Sequence, residues 1–460
     1  MPRLLVIGGS DAGISSSLRA RELDPSFDVT MVVADRYPNF SICGIPYFIS
    51  GETPDWRDLA HRTREEIDAT GIELLLDTRA TAIEPSERTV ELMDARGTTE
   101  MVPYDRLVIG TGAVPIRPDI AGIELEGVHL LHTMDDTFAL NDRLADAEAA
   151  VIVGGGYIGL EMADALSQRE MAVTVLEQLP SVMTTVDPEM GELVGRELRT
   201  HGVEVRTSAT VRRITQEGRA LQVAGDGFDA VTADAVLIAV SVRPDTALAA
   251  SAGAELGVRG AIVVDRGMRT GIANILAAGD CVETWHRMLQ RPTYMPLGTT
   301  AHKQGRIAGE NAVGGDRVFA GSLGTQVVKV FDLAVARTGL RTAEAAEAGH
   351  DPLTVETEGW DHKVYYPGAT KMTVRTTGDR RDGRLLGAQI VGHRNGQVAK
   401  RIDIAAAALY SEMRVEELSD VDLSYTPPFS SPWDPLQVGA QAWAQAAASG
   451  SGSEVSTALR

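Results

Sequence analysis

Cysteine is scarce in this sequence, which has only Cys43 and Cys281 among its 460 residues. The two lie far apart in the chain, so neither a disulfide framework nor a cysteine-rich metal site is expected. No secretory leader is expected, because the apolar stretch at residues 4–7 is too short and runs into two glycines. No apolar run approaches the roughly 20 residues that span a bilayer. These absences predict a cytoplasmic protein that binds no membrane and no metal.

Positively charged residues are also scarce. The sequence has 43 lysines and arginines against 64 aspartates and glutamates, which gives a formal charge of −21. A nucleic-acid partner needs a basic face, so none is expected. An anionic substrate would require that positive charge be concentrated locally. The 44% hydrophobic share is ordinary for a globular enzyme. A chain of this length suits two or three domains.

One strand–turn–helix–strand pattern occurs twice in the chain. Residues 3–9 (RLLVIGG) predict a buried strand and a glycine turn, followed by a helix over about 12–23 and a strand over 28–34. Residues 149–177 repeat the pattern, which indicates a duplicated nucleotide-binding unit. From about residue 320 the sequence changes to mixed strands and an alanine-rich helix over 402–410. The predicted fold class is α/β, with two Rossmann-like dinucleotide-binding domains and a C-terminal α+β domain.

The second glycine turn, GGGYIG at residues 154–159, is a complete GxGxxG between a strand and a helix. Gly154 permits the tight turn, Gly156 lets the backbone approach a pyrophosphate, and Gly159 allows the helix to pack closely on the strand. Glu177 ends the following strand, where its carboxylate would accept from ribose hydroxyls and repel a 2′-phosphate. NADH is thus the predicted nucleotide, with NADPH as the alternative. The predicted set at this turn is completed by Tyr157 and Ile158.

The first glycine turn, GGSDAG at residues 8–13, is a variant with Ser10 at the middle glycine position. The acidic residue expected about 20 positions further on is missing, and Asp35 is the nearest substitute. Taken alone, such a turn also fits a plain strand–turn–helix corner. A distant apolar strand that ends in Gly279 and Asp280 favours a nucleotide site, because it would bring a carboxylate to the ribityl chain of a flavin. The remaining residues predicted for this site are Gly8, Gly9, Ala12 and Gly13.

The order of these segments, with GTG at residues 110–112 between them, resembles that of two-dinucleotide-binding flavoprotein reductases. The resemblance covers residues 1–315. It implies that the first turn and Asp280 hold FAD, and that residues 296–306 (PLGTTAHKQGR) start a helix whose N-terminus points at the flavin pyrimidine ring. It also adds Gly112, Thr299 and Thr300 to the residues expected to bind FAD.

Residues 39–47 (NFSICGIPY) resemble the SFxxCG[LM]PY segment of the single-cysteine branch of the FAD-dependent pyridine nucleotide-disulfide oxidoreductase family. That branch includes coenzyme A disulfide reductases, persulfide reductases, NADH oxidases and NADH peroxidases. The resemblance implies that electrons from NADH pass through FAD to a disulfide, persulfide or sulfenate on Cys43. It extends to about residue 440 through segments at 324–332, 365–368, 400–403 and 425–435.

The residues around Cys43 permit a redox role on physical grounds as well. A helical turn after Gly44 would lower the pKa of the thiol through its dipole. A buried structural thiol is the alternative, and the surrounding match favours the redox role. Cys281, which follows Asp280, is expected to pack in a buried turn instead.

The resemblance further implies an obligate homodimer, in which two tyrosines of the partner subunit approach the redox cysteine. The matching positions are Tyr365 and Tyr425, whose hydroxyls would donate to a leaving thiolate. Interface packing is an equal alternative for both. A nucleotide-bearing thiol would be bound by phosphate-directed arginines and polar groups near the cysteine, although solvated helix charges remain open for the arginines. The residues predicted for this role are Arg19, Asn39, Ser41 and Arg62.

Three positions depart from the pattern of the branch. Asp11 stands where oxidases and peroxidases carry a histidine, and an aspartate would repel a sulfenate, which disfavours peroxidase chemistry. Coenzyme A disulfide reductases usually have a small residue there, so Asp11 serves a different acceptor or caps the helix. Ile42 and Asn39 replace the asparagine and serine of those enzymes, and the identity of the thiol stays open.

We therefore predict an FAD-dependent NAD(P)H oxidoreductase that reduces a low-molecular-weight disulfide or persulfide, like a coenzyme A disulfide reductase. An NADH oxidase that reduces oxygen and a slow flavoprotein redox sensor are the alternatives, and a metal or metalloid acceptor stays open. The predicted domains are an FAD-binding domain at 1–115 and 245–319, an NAD(P)H-binding domain at 116–244, a dimerisation domain at 320–445 and a disordered tail at 446–460.

Overall fold

The computed structural model describes residues 1–450 and 454–458 of the chain. These residues form two compact units, each assembled from three stretches of sequence. The first unit comprises Met1–Ile116, Leu131–Ala139 and Ser241–Ser322. The second unit comprises Arg117–Leu130, Leu140–Val240 and the described residues from Leu323 onward.

The strands are numbered along the chain. They are β1 (Arg3–Ile7), β2 (Asp28–Val32), β3 (Glu73–Leu75), β4 (Thr78–Glu84), β5 (Thr89–Asp94), β6 (Thr99–Pro103), β7 (Arg106–Ile109), β8 (Ala113–Pro115), β9 (Val128–Leu130), β10 (Ala149–Val153), β11 (Ala172–Leu176), β12 (Glu204–Arg206), β13 (Thr210–Glu217), β14 (Ala220–Asp226), β15 (Val231–Ala233), β16 (Ala235–Ile238), β17 (Val242–Pro244), β18 (Ile275–Ala277), β19 (Thr284–His286), β20 (Arg291–Thr293), β21 (Gln326–Val330), β22 (Leu333–Gly339), β23 (Pro352–Trp360), β24 (Lys371–Asp379), β25 (Leu385–His393) and β26 (Glu454–Ala458).

The helices are numbered in the same way, and none of those described has the length and apolar character that a bilayer crossing needs. They are α1 (Asp11–Leu23), α2 (Ile45–Ser50), α3 (Arg64–Asp68), α4 (Met134–Leu144), α5 (Tyr157–Gln168), α6 (Pro188–Thr200), α7 (Ala247–Ser251), α8 (Gly298–Ala312), α9 (Thr342–Glu347), α10 (Val398–Tyr410), α11 (Val415–Asp420) and α12 (Pro435–Ser449).

The first unit is built around a five-stranded parallel sheet in the order β18-β7-β1-β2-β3. The residues of β1 from Leu4 to Ile7 are all buried, as expected for an apolar strand in a sheet that is covered on both faces. Helices α1 and α8 pack on one face through Ile14 and Ile307, which share a core with Leu4. An antiparallel sheet, β4-β5-β6, and the pairs β8-β17 and β19-β20 complete the unit. The carboxyl ends of β1, β7 and β18 meet at one edge, where ligands bind in such sheets.

The second unit contains a five-stranded parallel sheet in the order β12-β11-β10-β16-β9 and an antiparallel sheet, β13-β14-β15. It also contains a six-stranded sheet, β21-β22-β25-β24-β23-β26, in which only the β23–β26 pair is parallel. Ile402 of α10 and Leu436 of α12 pack into the core of this larger sheet.

These sheets confirm the predicted α/β class with two Rossmann-like units and a C-terminal α+β region. Individual bounds differ from the prediction, because the glycine turn already begins at Gly8 and shortens β1, and because α10 begins at Val398, before the alanine-rich run. The division into domains at residues 115, 244 and 319 stays a prediction.

The expected disordered tail at 446–460 is wrong for most of its length. Helix α12 continues to Ser449, and Gly450 ends it in the left-handed conformation with φ +68°. Residues Glu454–Ala458 then pair in parallel with β23. The alanine-rich composition supports a helix as readily as disorder, and Trp443 and Ala446 bury its inner face. The rest of the predicted tail, 451–453 and 459–460, lies outside the described residues.

Candidate redox and dinucleotide sites

The first glycine turn joins β1 to α1 in a conformation that requires glycine. Gly8 has φ +111°, and a Cβ there would lie 2.1 Å from the carbonyl oxygen of Gly110. A Cβ on Gly13 would lie 1.8 Å from the carbonyl oxygen of Gly8, so α1 packs directly on the turn. Ser10 precedes α1 without a side-chain cap, which leaves the first N–H groups of the helix available to an anion.

Two carboxyl groups lie in desolvated surroundings near this turn. Burial raises the pKa of Asp280 to about 6, with the charge of Asp11 adding to the shift. Burial also raises the pKa of Asp35, whose Oδ1 accepts from the N–H of Tyr37 at 2.8 Å. Gly279 has φ +89°, and its N–H donates to Gln304 Oε1 at 3.0 Å. Desolvated carboxylates beside an uncapped helix N-terminus fit the hydroxyls and pyrophosphate of FAD.

The other residues predicted to bind FAD belong to the same unit. Gly112 has φ +72° and open space where a Cβ would stand. Thr300 is buried with its hydroxyl 3.3 Å from Ser322 Oγ, whereas Thr299 is exposed at the start of α8. A Cβ on Gly9 would collide with Val33 at 2.6 Å, so this position serves the packing of the turn.

The segment 39–44, which we call the redox loop, is tied to the first glycine turn. Asn39 is 1% exposed with φ +56°, and its N–H donates to the carbonyl oxygen of Gly9 at 2.9 Å. Cys43 lies in the 3₁₀ turn Ile42–Gly44, directly before α2, and its thiol is exposed. The structure thus carries the loop of Cys43 to the turn that fits FAD.

The two arginines predicted to bind substrate differ in their surroundings. Arg62 Nη1 lies 3.5 Å from Asn39 Oδ1, and Arg62 forms no ion pair with a carboxylate in the part of the chain that the structure describes. The guanidinium of Arg19 instead contacts Glu310 at 2.6 Å and Glu22 at 2.9 Å. Arg19 therefore holds α1 against α8, whereas Arg62 lies beside the redox loop without a carboxylate partner among the described residues. Ser41 lies in the redox loop itself, where its N–H donates to the carbonyl of Leu59.

Asp11 does not cap α1 through its side chain. Its Oδ1 lies 3.3 Å from Nε2 of His302, the fifth residue of α8. The hydrogen bond that the Asp11 carboxylate accepts from His302 raises the pKa of the imidazole. Sequence reasoning missed His302, although two signals were present: the unusual acid at position 11 and a histidine within residues 296–306.

The second glycine turn, between β10 and α5, repeats the geometry of the first. Gly154 has φ +115°, and a Cβ on Gly159 would lie 2.1 Å from the carbonyl oxygen of Gly154. A Cβ on Gly156 would meet nothing within 4 Å. Both carboxylate oxygens of Glu177 accept from backbone N–H groups, Oε2 from Gly155 at 2.6 Å and Oε1 from Leu179 at 2.7 Å. The unobstructed backbone at Gly156 precedes α5, which has no side-chain cap, and the fixed carboxylate of Glu177 lies beside the turn. This arrangement fits a dinucleotide.

Cys281 is fully buried, with its sulfur 3.4 Å from the carbonyl oxygen of Ala278. Burial raises the pKa of its thiol to about 11. The prediction that Cys281 packs in a buried turn is confirmed.

Tyr365 and Tyr425 lie in the second unit and are 71% and 44% exposed. Desolvation raises the pKa of Tyr365, and a hydrogen bond with Tyr425 adds to the shift. The buried Arg401 holds both of their loops, since Nη2 donates to the carbonyl of Asp361 at 2.7 Å and Nε contacts Asp434 at 2.9 Å. The two tyrosines are therefore presented together at the surface.

Comparison with known proteins gives one consistent result. The family model for pyridine nucleotide-disulphide oxidoreductases matches residues 2–305, and the model for the dimerisation domain of these enzymes matches residues 325–435. An NAD(P)H sulfur oxidoreductase (CoA-dependent) of Pyrococcus abyssi is 34% identical over 95% of this chain and 96% of its own. An NADH oxidase of Methanocaldococcus jannaschii is 32% identical over 95% and 98%. The structure of an NAD-dependent persulfide reductase from A. fulgidus superimposes with a TM-score of 0.93 at 37% identity, covering 97% and 84%.

Proposed function

The chain belongs to the pyridine nucleotide-disulphide oxidoreductase family and is an FAD-dependent NAD(P)H oxidoreductase, and on this premise we propose that it reduces a low-molecular-weight disulfide or persulfide through Cys43. The observation that carries the proposal is the hydrogen bond from Asn39 N–H to the Gly9 carbonyl, which joins the loop of the exposed thiol to the first glycine turn. A coenzyme A disulfide is the acceptor we place first. A CoA-dependent relative supports that choice.

Bound FAD supplies the hydride-accepting and electron-donating chemistry that links NAD(P)H to a sulfur bond. The residues that would hold it are the first glycine turn with Asp35 and Asp280. Cys43 as a thiolate attacks one sulfur of the acceptor, which forms a mixed disulfide and releases the other sulfur as a thiolate. Cys43 lies one residue before Gly44, the N-cap of α2, and the partial positive charge at the N-terminus of a helix favours a thiolate.

NADH is the nucleotide that Glu177 favours. Two backbone N–H groups hold its carboxylate in place beside Gly155, so the negative charge cannot turn away from a bound nucleotide. Ribose hydroxyls donate to such a group, and a 2′-phosphate is repelled by it.

Arg62 supports an acceptor that carries phosphate. The protein has a formal charge of −21, so an anionic acceptor needs a local excess of positive charge. Arg62 supplies it beside Asn39, whose Nδ2 is buried and has no partner among the described residues. A guanidinium and an amide donor together suit phosphate or carboxylate oxygens.

We further propose a cytoplasmic homodimer whose interface includes the surface around Tyr365 and Tyr425. The dimerisation-domain match and exposed apolar residues on neighbouring loops and at the end of β23 support it. In that assembly either hydroxyl would donate to a thiolate at the redox loop of the partner subunit. The exposed apolar residues are Trp360, Val364, Tyr366, Phe429 and Trp433.

A second candidate function is the reduction of oxygen. An uncompensated Asp11 would oppose it by repelling an oxidised, anionic cysteine, but Asp11 is paired with His302. The pairing and a relative named as an NADH oxidase support this candidate.

Anaerobic NADH consumption after addition of coenzyme A disulfide tests the proposal. The wild type should turn over, and Cys43→Ser should lose at least about 100-fold in rate, which corresponds to about 2.7 kcal/mol in the barrier. Cys281→Ser, at a buried thiol of the same unit, is the matched control and should keep most of the activity. Undiminished turnover by Cys43→Ser would contradict the role of the cysteine. If the wild type is inactive on this acceptor but consumes NADH in air, the oxidase candidate replaces the first.

A further inference from the structure

The side chain of His302 is held at both ring nitrogens by α1. Nε2 lies 3.3 Å from Asp11 Oδ1, and Nδ1 lies 2.8 Å from Ser15 Oγ. The imidazole is 45% exposed and the Asp11 carboxylate 24% exposed. The ring is therefore fixed in direction while it still exchanges protons with solvent.

The two helices that carry this pair are locked together by small residues. Ser16 Oγ donates to the carbonyl oxygens of Ala12 at 2.7 Å and Gly305 at 2.9 Å. A Cβ on Gly305 would lie 2.3 Å from the Ala12 carbonyl oxygen, and one on Gly309 would lie 2.2 Å from that of Ser16. Because the backbones touch, His302 has little freedom to leave Asp11.

Charged groups lie on two sides of the pair, one beside the redox loop and one beside the residues that fit FAD. Arg62, which contacts Asn39 of the redox loop, lies close enough to His302 to oppose its protonation. On the other side, the Asp11 carboxylate acts on Asp280, and its Oδ2 would lie 2.8 Å from a Cβ on Gly298, the first residue of α8. Asp11 thus lies beside the elements that fit FAD. Its negative charge is compensated when the imidazole of His302 is protonated.

We propose that Asp11 and His302 set the charge presented to bound FAD, with His302 as the positioning residue that holds and neutralises the Asp11 carboxylate. While the imidazole is protonated, the pair is neutral. When it loses its proton, one negative charge remains beside Asp280. A negative charge disfavours the uptake of electrons at a neighbouring site, so the midpoint potential of bound FAD falls as His302 deprotonates.

The proposal concerns the cofactor site and is independent of the acceptor that the enzyme reduces. Its test is the midpoint potential of FAD in the holoenzyme, measured anaerobically against reference dyes between pH 5.5 and 8.5 without any acceptor. His302→Asn should lower the potential at the acidic end by about 30 mV, a tenfold change in the two-electron equilibrium constant. The curves of variant and wild type should converge at the alkaline end. Asp11→Asn should raise the potential across the whole range, because it removes one negative charge whether or not His302 is protonated.

Lys303→Gln is the matched control, because it removes a positive charge from the same turn of α8 without touching Asp11. It should shift the potential much less than His302→Asn and by the same amount at every pH. FAD content and thermal unfolding of each variant show whether the fold is kept. Parallel curves for wild type and His302→Asn in a folded, FAD-loaded protein would overturn the proposal, even if coenzyme A disulfide turnover depends on Cys43 as proposed above.

Discussion

The two glycine turns share the same close contact between strand and helix but differ in the residues between their outer glycines and at the start of the helix. In both, the first glycine has a left-handed φ, and a Cβ on the last glycine would overlap the carbonyl of the first, at 1.8 Å for Gly13 and 2.1 Å for Gly159. The middle position is Ser10 in one turn and an unobstructed Gly156 in the other. An acid, Asp11, opens α1, whereas the first turn of α5 has none. The comparison shows that both junctions require the outer glycines and leave little room at the second position, Gly9 and Gly155, whereas the middle position is free to differ.

The largest effect expected from this comparison concerns the outer glycines. Gly13→Ala and Gly159→Ala should each cost at least about 3 kcal/mol of stability, because the new methyl group overlaps a backbone oxygen that cannot move alone. Gly13→Ala should also abolish FAD binding, and Gly159→Ala should abolish NADH binding while FAD is retained. Urea unfolding measures the loss of stability, FAD absorbance measures the bound cofactor, and the bleaching of that absorbance by NADH measures nucleotide binding. Gly156→Ala is the control, since its methyl group meets nothing within 4 Å, and it should weaken NADH binding without loss of stability.

A smaller effect is expected from the acid of the first site. The pKa of Asp280 is raised to about 6 from an ordinary value near 3.8, so the folded protein binds this proton more tightly than the unfolded chain. Stability should therefore fall as pH rises from about 4 to 6, by about 2 kcal/mol from this group. In FAD-stripped protein, Asp280→Asn should remove that part of the slope in urea unfolding. An identical slope for variant and wild type would argue against a desolvated carboxyl group.

The smallest effect concerns the acid of the second site. Glu177→Gln keeps a side-chain oxygen for one backbone N–H and removes the charge that repels a 2′-phosphate. The ratio of kcat/KM for NADH to that for NADPH should fall about tenfold, or about 1.4 kcal/mol. Asp35→Asn, at the first site, is the control and should leave the ratio unchanged. If Asp35→Asn changes the ratio and Glu177→Gln does not, the two sites have been assigned the wrong way round.

Local patterns were sufficient for much of this structure. The glycine turns and Glu177 were predictable because each depends on neighbours within about 25 residues, whose spacing is set by one strand and one helix. The burial of Cys281 was predictable because it follows an apolar strand.

The relation between His302 and Asp11 was not predictable in the same way. They are separated by 291 positions (302 − 11), and only the packing of α1 on α8 brings them together. The contrast between Arg19 and Arg62 also depends on packing, since Glu310 comes from α8. The prediction of a disordered tail was wrong because an alanine-rich composition is compatible both with a disordered segment and with a helix that packs on the rest of the protein.

Because the two thiols differ in exposure, the number of reactive thiols per chain can be used to count folded molecules. One sulfhydryl is exposed at the redox loop and the other is sealed inside the first unit. A chromogenic thiol reagent should therefore consume one equivalent per native chain and two after denaturation. The first equivalent reports the concentration of folded protein with an accessible Cys43. A fluorescent maleimide should label each native molecule at this single position.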